Sequence, residues 1–142
     1  MGKLTERLKD ASRSGVYRTT RADVVEDAVR GTRFNYARIA LKGARTKDEL
    51  LAAIAHALGF PEWFGGNWDA LEDCLTDLSW READGHVFVF EAFQDVVPDD
   101  LGILIDILSS SAEFWAARGR SFFAVLIDPD RALGLADLYR EG

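Results

Sequence analysis

A chain of 142 residues that is 48% apolar and 29% charged is most simply one domain, long enough to bury about two thirds of its unfolded surface. No run nears the ~18 apolar residues of a membrane span, the start MGKLTERLKDASRSG lacks the apolar stretch of a secretory signal, and one cysteine excludes an internal disulfide, so the expectation is a cytoplasmic protein. The net charge of −7 is uneven: residues 1–47 hold 12 of the 17 Lys and Arg against 5 of the 24 acids, whereas from Asp48 to Ala117 fifteen acids meet one base, Arg81. Such a middle segment repels a nucleic acid and steers a basic protein toward it.

In chain order, residues 3–11 read as a short helix and Val16 to Arg18 as a brief strand. RADVVEDAVRG follows as a helix with Val24, Val25, Ala28 and Val29 inward and Gly31 as its stop. FNYARIALKG alternates as a strand near 36–41. Thr46 and Glu49 form a capping box before LLAAIAHALG, a helix closed by Gly59. GFPEWFGGN is turn-rich, and Asn67 suits the N-cap of the next helix. HVFVFEAF, near 86–91, and SFFAVLID, near 122–127, are continuous apolar β-formers of the kind buried on both faces; between them VPDDLGILIDILSSSAEFWAARG is a long amphipathic helix ended by Gly119. The tail RALGLADLYREG reads as a terminal helix. Strands separated by helices imply right-handed crossovers and a parallel sheet, hence an α/β fold.

Residues 63–78, WFGGNWDALEDCLTDL, pose the functional question. Trp68, Leu71, Leu75 and Leu78 recur with helical period, which places Asp69, Glu72, Asp73 and Asp77 together on the opposite, exposed face with no Lys or Arg among them. Asp69 with Asp73, and Asp73 with Asp77, are like-charge pairs four apart, each costing about 0.2–0.5 kcal/mol on an isolated helix. Acidic faces are commonly no more than solvated surface, so the segment's context has to decide.

LGFPEWFGGNWDALEDCLTDL, residues 58–78, resembles the barstar family of intracellular ribonuclease inhibitors, and the order of elements from about 36 to 127 is similar to that family's as well. The resemblance implies a three-stranded parallel sheet with helices packed on it, forming a barstar-like domain over 36–128. Residues 1–35 are then an N-terminal extension whose strand and helix add a fourth strand and crossover at an edge, and residues 129–142 a C-terminal tail. It also implies that the acidic helix and the loop before it enter the active site of a partner ribonuclease, where carboxylates replace substrate phosphates. On this reading the contact surface comprises Trp63, Gly65, Asn67, Trp68, Asp69, Glu72, Asp73, Thr76 and Asp77, with Trp63 packing on the enzyme, Asp73 the dominant carboxylate and Thr76 a minor contact. Two positions depart from the family: Glu72 stands where the family has a tryptophan, and Phe114, beside Glu113, stands where it has a contact acid. The implied partner is a small basic ribonuclease, and the chain itself is expected to be a monomer that carries no catalytic residue, metal or cofactor, since its residues offer no nucleophile, base or metal constellation.

Two other readings compete. An immunity or adaptor protein could use the same acidic surface on a basic protein that is not a ribonuclease. A Mg²⁺-dependent phosphoester enzyme could hold its metal with Asp69, Asp73, Glu91 or Asp128, the last two closing strands where α/β proteins often place ligands. Cys74 with His56 or His86 offers the composition of a thiol dyad, although a lone helical cysteine beside an apolar stripe is far more often core.

Overall fold

The computed structural model describes residues 2–140. Its helices are α1 (Lys3–Lys9), α2 (Ala22–Val29), α3 (Lys47–Leu58), α4 (Trp68–Leu75) and α5 (Pro98–Ala116); its strands are β1 (Gly15–Thr19), β2 (Phe34–Ala40), β3 (Gly85–Glu91), β4 (Ser121–Ile127) and β5 (Ala136–Asp137). The capping box at Thr46 and the left-handed Gly59 bound α3 as their residue types require. Pro98 occupies the first turn of α5, where its missing N–H costs nothing.

All strand pairs are parallel, as expected, but the sheet has five strands rather than three or four, in the order β2-β3-β4-β1-β5. The N-terminal strand is no edge addition. β1 lies between β4 and β5, so that Val16 pairs with Ala124 on one side and Tyr17 with Ala136 on the other. The tail is not a helix either. Its leucines lack a helical stripe because they serve both sheet faces: Leu133 and Leu135 pack against one core, Leu138 against the other. The Asp128 carboxylate accepts the amides of Ala132 and Leu133, which fixes the turn that carries the tail to the sheet edge.

Two apolar layers sandwich the sheet. Phe88 and Phe90 of β3, with Phe122, Ala124 and Leu126 of β4, face α3, α4 and α5. Val87, Val89, Phe123 and Val125 face α1 and α2, with Leu8, Val25 and Val29 against them. This two-sided burial is what the unbroken apolar runs of β3 and β4 signal, and each such side chain contributes about 1.5–3 kcal/mol by leaving water. The N-terminal segment therefore covers a whole face of the sheet, and the Thr5 hydroxyl, donating to the Ala28 carbonyl at 2.8 Å, ties its two helices together.

Candidate partner-binding site

Beyond Gly59, residues 60–67 cross the surface on an aromatic support. The Phe60 ring stands edge-on to Phe64 at 5.0 Å and to Trp80 at 6.0 Å, and Trp63 leans edge-on against Trp80 at 6.2 Å. The Trp80 indole N–H donates to the Leu58 carbonyl at 3.2 Å, which fastens this aromatic support to the end of α3. Trp63 is thus oriented by another ring while remaining 57% exposed. An exposed tryptophan held in place loses little entropy when a partner covers it. The loop needs glycine at Gly66, with φ +70, but not at Gly65, where a Cβ would make only ordinary contacts with Asn67 and Ala70. Gly65 lies exposed beside Trp63.

The Asn67 side chain accepts the Ala70 amide at 2.7 Å and caps α4 as expected. Leu71, Cys74 and Leu75 are buried, Trp68 is half-buried against the same core, and Asp69, Glu72 and Asp73 are exposed. Among the described residues, none of Asp69, Glu72, Asp73 and Asp77 has an ion-pair partner. Several bases of the N-terminal third engage other acids: Arg38 forks onto Glu91 at 2.9 and 3.0 Å, and Arg45 lies 3.8 Å from Asp95.

The helix stops at Leu75, three residues short of the apolar period. A continuing helix would need the Leu75 carbonyl for residue 79, but the Trp115 indole N–H of α5 takes it at 2.8 Å. Thr76 turns its hydroxyl back to the Glu72 carbonyl at 2.8 Å, and Leu78 adopts φ +49 to bring its buried side chain under the turn. Asp77 consequently projects from that turn and not from the helix. Trp115→Phe should cost about 1 kcal/mol, the worth of one such hydrogen bond; amide exchange accelerated around Thr76 to Leu78 would confirm the indole as the helix stop, and unchanged exchange there would refute it.

On α5, Glu113 is exposed and Phe114 half-buried, with the Arg118 guanidinium 3.5 Å above the Phe114 ring. Where the resemblance leads one to expect a contact acid, the surface offers a cation stacked on an aromatic.

Cys74 is fully buried, and that burial, with Asp73 and Asp77 nearby, pushes its thiol up to about 11. Such a thiol is no nucleophile at neutral pH. His56 is exposed on α3, whereas His86 is 1% exposed on β3, its ring 5.0 Å from Trp115 and its Nδ1 3.1 Å from the Asn35 amide nitrogen. Burial, helped by Arg120, holds His86 down at about 4 against an ordinary 6.5. The unfolded chain takes up this proton near pH 6.5 and the folded chain only near pH 4, so stability is full above 6.5 and falls between them as pH drops. The loss approaches about 3 kcal/mol below pH 4. In urea unfolding at stepped pH, His86→Phe should flatten that slope relative to the native chain; an unaltered slope would rule His86 out as its source.

The other acids singled out from the sequence are occupied. Both Glu91 oxygens accept from Arg38, and the buried Asp128 carboxylate accepts two backbone amides. Among the described residues no group of three or more His, Cys, Asp and Glu side chains could hold a metal ion. Neither strand end therefore joins Asp69 and Asp73 in a metal site. No described helix is long and apolar enough to cross a membrane.

A capped helix, an unpaired acidic face and an aromatic-braced loop form one continuous stretch of chain, and the family model of Barstar (barnase inhibitor) matches residues 34–127, more than half of the sequence, with that stretch inside it. The chain belongs to the barstar family. The match runs from β2 to β4, leaving α1, β1, α2 and β5 outside it. No curated protein matches the chain. Among solved structures, that of the Aeropyrum pernix ORC2 protein in ADPNP–ADP complexes is similar, with a TM-score of 0.49 and 15% identity over 80% of this chain and 33% of that one. The present chain thus spans about a third of that structure's length, and the likeness carries no functional weight.

Proposed function

We propose that this protein is an intracellular inhibitor of a ribonuclease, inserting α4 and the loop before it into the enzyme's phosphate-binding active site. The observation that carries the reading is the set of exposed carboxylates without cationic partners on a rigidly anchored helix, within a chain of the barstar family. A ribonuclease site presents Arg, Lys and His to phosphate, and carboxylates in a fixed array make charge-assisted hydrogen bonds to the same groups. The contact surface on this reading is Trp63, Gly65, Asn67, Asp69, Glu72, Asp73, Thr76 and Asp77, with Trp68 contributing its exposed edge. The barstar-like unit is residues 36–128, flanked by the 1–35 and 129–142 segments; it works as a monomer in the cytoplasm, without catalytic activity of its own.

The structure of α5 favours keeping a second reading, in which the same face binds a basic partner that is not a ribonuclease. Arg118 over Phe114, and Glu72 on the binding face, alter the charges a partner would meet. One experiment separates the two: co-purification from the source cell at low salt, identification of the retained small basic protein by mass spectrometry, and an assay of its RNA cleavage with and without the inhibitor. A retained nuclease whose cleavage is blocked supports the first reading. A retained protein without RNA cleavage supports the second, and RNA or phosphoester turnover by the purified chain itself, lost in Asp73→Ala, would overturn both.

A further inference from the structure

The face of the sheet opposite α3, α4 and α5 carries a second charged feature of opposite sign. Between α1 and the segment after β5 lies a cleft of about 470 Å³ lined by Lys3, Leu4, Arg7, Tyr139 and Arg140. Among the described residues, three of its five lining residues are cations and none is an acid. Among the described residues Lys3, Arg7 and Arg140 make no hydrogen bond or ion pair through their side chains, and the Arg7 Nε is shielded from solvent with no acceptor. Elsewhere in this segment Arg13 pairs with Asp10, Arg21 with Asp23 and Arg30 with Asp27.

A shielded guanidinium N–H without an acceptor is costly and rare in folded proteins, and it points to a group that occupies the site when the protein is at work. The fork of an arginine matches two oxygens of a phosphate, with lysine as an added point charge. Tyr139 is half-buried and Leu4 likewise, so the same cleft has an apolar wall. Its volume lies in the range of small-molecule sites. We propose that this cleft binds a phosphomonoester of the nucleotide type, the phosphate held by Arg7 with Lys3 and Arg140 beside it and the flat body lying against Tyr139 and Leu4. The site is independent of the acidic helix, since α1 and the tail meet on the far side of the sheet from α4.

The test is isothermal titration of the full chain at low ionic strength with AMP, adenosine and inorganic phosphate. AMP should bind saturably with a dissociation constant below about 1 mM, phosphate at least tenfold more weakly, and adenosine without measurable affinity. Arg7→Gln and Arg140→Gln should each weaken AMP at least tenfold, while Asp73→Ala leaves it unchanged. Because Arg7 sits on a helix that covers the sheet, Arg140→Gln, in the exposed tail, provides the variant whose folding is secure. No saturable AMP binding, or binding that both variants retain, would overturn the proposal. Phosphate bound as tightly as AMP, or adenosine bound as tightly as either, would overturn the nucleotide assignment. Loss of ribonuclease inhibition in Asp73→Ala is read separately, so the two sites stand or fall apart.

Discussion

Asp73→Ala is expected to weaken inhibition by about two or more orders of magnitude at fixed salt. Asp73 lies on the exposed face of α4 one turn after Asp69, and Asp77 follows in the turn beyond the helix. If that face plugs a phosphate site, Asp69 and Asp73 are desolvated against cations at its centre. Removing one of them strands a buried cation, a loss of roughly 2–5 kcal/mol felt mainly in dissociation, whereas a rim charge changes association and its salt dependence. Since each 1.4 kcal/mol is tenfold, Asp77→Ala should matter far less, and Trp63→Ala should fall between, losing aromatic packing without stranding a charge. Association and dissociation rates of the three variants at two ionic strengths decide the matter. Equal losses in all three, confined to association, would make the acidic face a steering surface and end the plug mechanism.

The same substitution should act in the opposite direction on the free protein. Asp69 and Asp73 repel each other across one helical turn, and neither has a cation of its own chain to offset it, so Asp73→Ala relieves about 0.2–0.5 kcal/mol. On the proposed reading a cationic partner would relieve that repulsion, so the same charge that costs the free protein stability would strengthen the complex. What holds them in place is apolar: Leu71, Cys74 and Leu75 beneath, Trp115 at the end, and Phe60, Trp63 and Trp80 beside the preceding loop.

The parts legible in the sequence were those with a local cause. The capping box at Thr46, the cap at Asn67, the Gly59 stop and the continuous apolar runs of β3 and β4 each depend on neighbours within a few residues, and each stands where its residues place it. The family resemblance likewise rests on a contiguous motif around α4, which lies inside the matched residues 34–127. The parts that were not legible depend on distant partners. Nothing near Leu75 announces that an indole forty residues on will end the helix. The tail, expected as a helix, pairs at the sheet edge because two cores claim its leucines, and the strand 15–19, expected at an edge, is covered on its outer side by that tail. The strand beyond expectation is β5, Ala136–Asp137, which pairs with β1 and supplies the carboxylate that meets Arg18.

Arg18→Ala should cost about 4 kcal/mol in urea unfolding, from a cavity left by a large side chain and the loss of hydrogen bonds to a buried carbonyl. Arg18 is 2% exposed on an interior strand, a placement that requires partners for a charged group. It has them: Nε and Nη2 donate to the Asp128 carbonyl at 3.0 and 2.6 Å, and Nη1 pairs with Asp137 of β5. Its own carbonyl accepts the Leu138 amide at 2.9 Å. One side chain thus fastens the N-terminal strand, the end of β4 and the tail, all at the border of the family-matched segment. Arg131, 3.2 Å from Asp137, keeps that carboxylate paired from the solvent side, and together the two arginines hold it well below its ordinary range. Arg18→Met keeps most of the volume while discarding the hydrogen bonds, so it should recover about half of the loss. Asp137→Ala should destabilise in the same direction, since it leaves the guanidinium without a counter-ion. If Arg18→Ala unfolded at the same urea concentration as the native chain, β1 and the tail would be ornaments on a smaller stable core. A shared large loss would show that one cooperative unit extends across the five-stranded sheet and carries the acidic face with it.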